Sequence, residues 1–305
     1  MTEKRFLSRR NARRPPAWVR LLRPHHWIKN FLLFVPALTT SAFLEPYTLV
    51  PAVVGFVSFT LAASAGYVIN DLTDQSNDRM HPQKKTRPLA SGELSPRAAI
   101  FIGMFNLGAA SVLSFGINLQ VGLLIVAYLS LTTLYSIFLK RLVYVDIAVL
   151  VSLYAIRVLA GAAAIEVELS AWLATYTIAL FLSLASLKRY AEINTLAGPG
   201  VTKLSGRAYS RQHLGIFLIL GLSAGLFSMG ILGSYISNPL TAAKYGDVTL
   251  LWSFFAVFGG WLCGVWVATI RGNMASDPVV FALSNPFSLA CVAVMVSLAL
   301  AAQLN

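Results

Sequence analysis

Asn70, Asp71, Asp74 and Asp78 close a long apolar stretch, and Lys84, Lys85 and Arg87 follow shortly after. Ionisable groups beside a bilayer are costly to keep, so such a cluster marks a candidate functional site. If the helix carrying Asn70 runs on for two more turns, each residue rotates by about 100°. With Asn70 as zero, Asp74 falls at about 40°, Asp78 at about 80° and Asp71 at about 100°, within one quarter of the surface, and Arg79 lies at about 180°. Oxygen ligands on one face suit Mg2+, which keeps several waters and takes one or two carboxylates together with substrate phosphates. His81-Pro82 ends the helix, because the residue before a proline is pushed out of the α region; His81 is read as shaping that turn. Lys84, Lys85 and Arg87 then lie in a loop folded back by Pro88 and Gly92. Arg87 can take phosphate oxygens with its planar fork, whereas lysine acts as a point charge. The bland alternative is a solvated helix end whose acids pair with those three cations. Three of the chain's 12 acids are spent here, which favours the site. Its chemistry would be the handling of a phosphate or pyrophosphate at a membrane surface.

The elements that must position this cluster are apolar. The chain has 305 residues, 57% hydrophobic and 12% charged, with mean hydropathy +0.69; a soluble domain carries roughly 25% charged residues. The expected fold class is all-α, a polytopic membrane protein with nine transmembrane helices at about 28–44, 49–70, 96–115, 119–138, 143–164, 171–188, 214–236, 249–270 and 285–303. Most are near the ~20 residues needed to cross the hydrocarbon core; the first contains Pro36 and is the shortest. Cys263 and Cys291 lie inside apolar segments and read as packing residues. Residues 1–20 read as a basic disordered or interfacial arm, without the early apolar core of a signal peptide, and 21–305 as one membrane domain.

The net charge of +12 could suggest nucleic acid, but its placement argues against it. On this reading 22 of the 24 Lys and Arg residues fall on one side, Lys244 alone on the other, and Arg157 within a span. The positive-inside rule puts the N-terminus in the cytoplasm and the C-terminus outside, which an odd helix count requires. The basic arm then sits on anionic headgroups, at about 1 kcal/mol per cation near the surface.

Several motifs carry a resemblance to a known family. They are Arg23-Pro24-x-x-Trp27-x-Lys29-Asn30, then Asn70-Asp71-x-x-Asp74-x-x-x-Asp78-Arg79-x-His81-Pro82-x-Lys84-x-x-Arg87-Pro88, then Tyr154-x-Ile156-Arg157-x-x-Ala160-Gly161, and Lys188-Arg189-Tyr190-Ala191-Glu192. With nine predicted helices, the chain resembles the UbiA superfamily of intramembrane prenyltransferases. The resemblance implies a UbiA-type bundle in which the first acidic motif holds Mg2+ and a diphosphate. A second acidic motif is expected after the sixth helix, where this chain has one acid and two cations. That departure is similar to the decaprenyl-phosphate phosphoribosyltransferases within the superfamily. Asp277-Pro278 and the residues after it resemble a segment of bacterial relatives, with no role assigned.

The resemblance implies transfer of 5-phosphoribose from phosphoribosyl pyrophosphate to a polyprenyl phosphate, at the cytoplasmic face of a bacterial inner membrane. In related enzymes that product feeds envelope glycans. Asp71 and Asp74 would hold Mg2+ on the pyrophosphate, with Asn70 and Asp78 completing or orienting the site. Lys29, Lys84, Arg87, Lys188 and Arg189 are the candidate phosphate-binding cations. Glu192 is a candidate for metal or ribose hydroxyls, and Tyr190 a candidate for ribose or second-site contacts although it lies off the face shared by Lys188 and Glu192. Topological anchoring competes for Lys188 and Arg189, and an interfacial anchor beside Trp27 competes for Lys29. Arg157, too deep to snorkel, either contacts substrate or pairs within the protein; Asp146, about 16 Å away along the same helix, cannot be its partner. His25, His26 and His213 read as interfacial residues, and an anionic phosphate nucleophile needs no strong general base. Two rivals remain. One is a prenyltransferase moving a prenyl group from a prenyl diphosphate to a small acceptor. The other is a transporter, disfavoured because transporter sites sit near the midplane. Lipid chain length and oligomeric state, a homo-oligomer included, are not legible.

Overall fold

The computed structural model describes residues 15–40, 46–80, 84–194, 209–245, 247–274, 278, 281 and 285–304. His81, Pro82, Lys203, Arg207 and Asp277 lie outside them. A short helix α1 (Ala17–Leu22) leads into a 3-10 helix, Pro24–Phe34, and α2 (Val35–Thr39). Then come α3 (Pro46–Thr73), α4 (Gln75–Met80), α5 (Pro96–Ile117), α6 (Leu119–Ile137), α7 (Val145–Ala164) and α8 (Ala171–Asn194). The chain ends with α9 (Leu214–Ile236), α10 (Pro239–Lys244), α11 (Val248–Ile270) and α12 (Pro286–Leu304).

Eight of these, α3, α5 to α9, α11 and α12, are long and apolar enough to cross a membrane. The ninth expected span, 28–44, differs. Its described part is the 3-10 helix running into five residues of α-helix, with Pro36 in the first turn of α2. At about 2.0 Å rise per 3-10 residue and about 1.5 Å per α residue, this segment reaches roughly 30 Å. It has the reach of a span without the length of an α-helical one. The expected arm also ends differently: residues 17–20 belong to α1, which packs on α3 through the fully buried Leu21.

Two cores join the helices. In the first, Leu33 of the 3-10 helix, Phe59, Ala62 and Ala63 of α3, Ala110 of α5, Ile125 and Tyr128 of α6 and Ala160 of α7 pack together. The small residues let helices approach closely, as membrane helices without a hydrophobic drive between them require. In the second, Tyr154 of α7, Phe181 and Leu184 of α8, Phe217 of α9 and Trp261 and Trp266 of α11 interlock. Trp266 donates its indole N–H to Ser183 Oγ at 3.1 Å, and Ser183 donates to the Gly221 carbonyl at 2.7 Å, pinning α8, α9 and α11. In the most apolar stretch of α3, 61% of residues are buried, against 11% in α12, so α3 is central and α12 peripheral.

Candidate active site

The acidic residues lie where α3 gives way to α4. The break at Asp74 does not interrupt the helical path: Asp74 N–H donates to the Asn70 carbonyl at 2.9 Å and Asp78 N–H to the Asp74 carbonyl at 2.8 Å. Asp71 and Asp78, two turns apart, therefore share a face, and both are 2% exposed. Arg87 Nη1 bridges them, 3.2 Å from Asp71 Oδ1 and 2.5 Å from Asp78 Oδ2. Arg23 Nη2 meets the same Asp71 oxygen at 2.5 Å, with its guanidinium 5.0 Å over the Tyr67 ring. Burial lowers the pKa of Arg23 from its ordinary value; Asp71 opposes the fall and Arg87 adds to it. Asp74 turns aside toward Lys140, Oδ2 to Nζ 3.7 Å, and Asn70 is half-buried beside it.

Arg87 is aimed by its loop. Leu89, two residues on, is fully buried against Leu21, Val68 and Ala99, a burial worth about 1.5–3 kcal/mol. Gln75 Nε2 donates to the Leu89 carbonyl at 3.0 Å, tying the loop to α4. Gly92 has φ +81°, a conformation favouring glycine, and closes the turn. Lys84 and Lys85, in the 3-10 turn Lys84–Thr86, are exposed.

The C-terminal end of α8 forms a second polar group. Arg189 is fully buried: Nε lies 2.6 Å from Asp146 Oδ2, Nη2 donates to Asp146 Oδ1 at 2.9 Å and to Tyr135 Oη at 3.0 Å. Its Nη1 donates to Glu192 Oε2 at 2.5 Å. Tyr135 donates to Asp146 Oδ1 at 2.8 Å, and the Tyr209 ring lies 6.0 Å from the guanidinium. Burial pushes the Tyr209 phenol's pKa up. Glu192 keeps 29% side-chain exposure and Lys188 is half-buried. Tyr190 packs edge-on to Trp266, centroids 6.3 Å apart, in the core and off the polar face as expected.

A third group lies deeper. Arg157, 5% exposed, donates from Nε to Asn30 Oδ1 at 2.9 Å, from Nη2 to Tyr128 Oη at 3.0 Å, and from Nη1 to the Leu153 carbonyl. The Tyr154 ring sits 5.8 Å from Arg157 and equally 5.8 Å from Lys29 Nζ, so one aromatic gathers both cations.

The structure thus unites Asp71 and Asp78 with Arg87, Lys29 with Arg157, and Arg189 with Glu192, and leaves Lys84 on the surface. Arg23, Lys140, Tyr135 and Asp146 join these groups without having been singled out for them. Only Arg23 had a signal, its place in the Arg23-Pro24 motif. Among the described residues, no three acids, histidines or cysteines converge at metal-ligand spacing. Mg2+ asks for less, one or two carboxylates plus ligand oxygens, and the convergent Asp71 and Asp78 supply that. Two cavities, of 540 and 650 Å3, lie at the opposite end of the bundle. The first is an apolar chamber walled by Trp172, Tyr176, Leu232 and Phe254, and the second is bounded by Tyr47 and Val112.

Residues 31–243 match the model of the UbiA prenyltransferase family. The chain is 31% identical to the nodulation protein NoeC of Azorhizobium caulinodans over 88% of each chain. It is 32% identical to the decaprenyl-phosphate phosphoribosyltransferase of Mycobacterium tuberculosis, over 70% of this chain and 72% of that one. Its fold matches a UbiA homologue from Archaeoglobus fulgidus bound to GPP and Mg2+, with TM-score 0.68 at 16% identity, covering 95% of this chain and 100% of that one. With buried acids at the end of a central span, in a multi-pass bundle of that shape, this membrane protein belongs to the UbiA prenyltransferase family.

Proposed function

We propose that the chain transfers 5-phosphoribose from phosphoribosyl pyrophosphate to a polyprenyl phosphate and releases pyrophosphate. The observation that carries this reading is the end of α8. There, among the described residues, Glu192 has an accessible carboxylate and half-buried Lys188 stands where a further acid was expected, while Arg189 is fully buried against Asp146 and Glu192 instead of facing a phosphate. Such a surface suits a neutral sugar flanked by phosphates better than a second metal-bound diphosphate. The named activity of the mycobacterial relative agrees with it.

Mg2+ would be held by Asp71 and Asp78, with Asp74 and Asn70 adjoining, and would supply Lewis-acid neutralisation of pyrophosphate charge. Arg23 and Arg87, already aimed at those carboxylates, are placed to take pyrophosphate oxygens. Their preorganisation stabilises charge that develops as the leaving group departs, when positive charge builds on the sugar. Lys29 and Arg157 would receive the lipid phosphate, whose anionic oxygen attacks without a general base. Glu192 would accept hydrogen bonds from ribose hydroxyls. The hydrocarbon tail requires apolar walls of the kind found in the 540 Å3 chamber. The basic loops support a reading in which the acid end faces the cytoplasm from a bacterial inner membrane.

A second reading is transfer of a prenyl group from a prenyl diphosphate to a small acceptor. The GPP and Mg2+ bound by the A. fulgidus homologue agree with it. Purified protein with Mg2+ should release pyrophosphate only when phosphoribosyl pyrophosphate and polyprenyl phosphate are both present. Release from a prenyl diphosphate and a small acceptor instead would overturn the proposal in favour of the second reading.

A further inference from the structure

We infer that Asp146 is a positioning residue of the site, acting through Arg189 to fix the carboxylate of Glu192. Asp146 and Arg189 have 0% side-chain exposure, so no ligand reaches either carboxylate oxygen of Asp146 directly. Glu192 does reach the surface, at 29%. The Arg189 guanidinium, which meets both carboxylates, links the buried acid to the accessible one.

That guanidinium is held at both edges. Asp146 Oδ1 accepts from Nη2 at 2.9 Å, and its Oδ2 lies 2.6 Å from Nε as an ion-pair contact, so both carboxylate oxygens face one edge of the guanidinium. Tyr135 locks the same corner, donating to Asp146 Oδ1 at 2.8 Å while accepting from Nη2 at 3.0 Å. Only Nη1 is left to meet Glu192, at 2.5 Å. Arginine and glutamate three residues apart on an exposed helix face would sample many rotamers. Here the cation is frozen by groups from α6 and α7, so one oxygen of Glu192 is anchored and the carboxylate is oriented. Asp146 lies in the first turn of α7, where the helix dipole favours a negative charge.

The inference rests on Glu192 contacting substrate, and a double-mutant cycle tests it. Asp146→Asn should lower kcat/KM by about tenfold, yet by less than twofold once Glu192→Gln is present, because the two share one route. Tyr135→Phe keeps the ring and removes one hydroxyl; should Asp146→Asn fail to fold, it carries the same test with a smaller loss that again vanishes beside Glu192→Gln. A residue that merely holds the fold would lower kcat/KM by equal factors in both backgrounds, and that result would overturn the inference. The cycle is run with whichever substrate pair the wild-type protein turns over. Wild-type transfer of a prenyl group in place of phosphoribose would sink the proposed function alone, and equal factors would sink the positioning role alone.

Discussion

Asp71 accepts from two arginines on a single oxygen, one from a segment 48 residues earlier and one from a loop 16 residues later. Removing one partner of a buried, hydrogen-bonded charge set costs about 3–5 kcal/mol when the rest is left uncompensated. Asp71→Asn keeps the shape and loses the charge, so turnover should fall by at least about 100-fold while the protein still extracts as a folded monodisperse species. Wild-type rates for this variant would remove Asp71 from the chemistry. Arg87→Lys tests the planar guanidinium: Nη1 alone meets both Asp71 and Asp78, and the other guanidinium nitrogens could take pyrophosphate oxygens as a lysine point charge cannot, so KM for the pyrophosphate-bearing substrate should rise roughly tenfold. An unchanged KM would reduce Arg87 to a loop anchor. The convergence of Asp71 and Asp78 was legible, since 100° steps put them about 20° apart. The turning of Asp74 toward Lys140 was not, because Lys140 comes from a distant hairpin and helix geometry says nothing about what faces it. Arg23 was half-hidden: its place beside Pro24 in the motif set it apart from the other arm cations, but nothing local said that it reaches Asp71.

At the scale of elements, the 3-10 segment crosses α7 by direct backbone contact. A Cβ built on Gly161 would lie 2.0 Å from the Leu33 carbonyl oxygen, and backbone cannot swing aside as a flexible side chain can. That contact brings Asn30 to Arg157. Gly161→Ala should push the segment off α7, at a cost of at least the ~1–3 kcal/mol usual for overpacking, seen as a lower Tm in detergent and lost activity. Gly108→Ala on α5, where an added Cβ meets nothing within 4 Å, serves as the matched control and should leave Tm unchanged. Equal Tm for both variants would contradict the close approach. Hydropathy located the eight long spans to within a few residues, apart from the end of α8. The first segment, expected to be the shortest span, is largely 3-10, a difference hydropathy does not register because 3-10 and α backbones can carry the same apolar composition and differ only in rise. Pro36 and the short apolar run were the sole local hints.

For the molecule as a whole, the polar groups at the ends of α3 and α8 share one face of the bundle, and the two cavities open toward the other. The asymmetry of Lys and Arg across the loops is a claim about orientation. With Cys263 and Cys291 replaced by alanine, Met80→Cys and Tyr47→Cys offer single thiols at positions 87% and 90% exposed. An impermeant maleimide should label Met80→Cys from the cytoplasmic side and Tyr47→Cys from the outside. The opposite pattern would invert the assignment. Class and bundle were plain from composition, because lipid admits few architectures besides helices. Which phosphate meets which cation was not, because Lys29, Arg157 and Arg189 find their partners across helices far apart in sequence.

The most direct test of the central claim is the mass of the lipid made when purified protein, Mg2+, phosphoribosyl pyrophosphate and a polyprenyl phosphate are combined. The account predicts the acceptor plus one phosphoribosyl group, formed by the wild type and lost with Asp71→Asn. An unmodified lipid beside a prenylated small acceptor, in a reaction supplied with both substrate pairs, would contradict it.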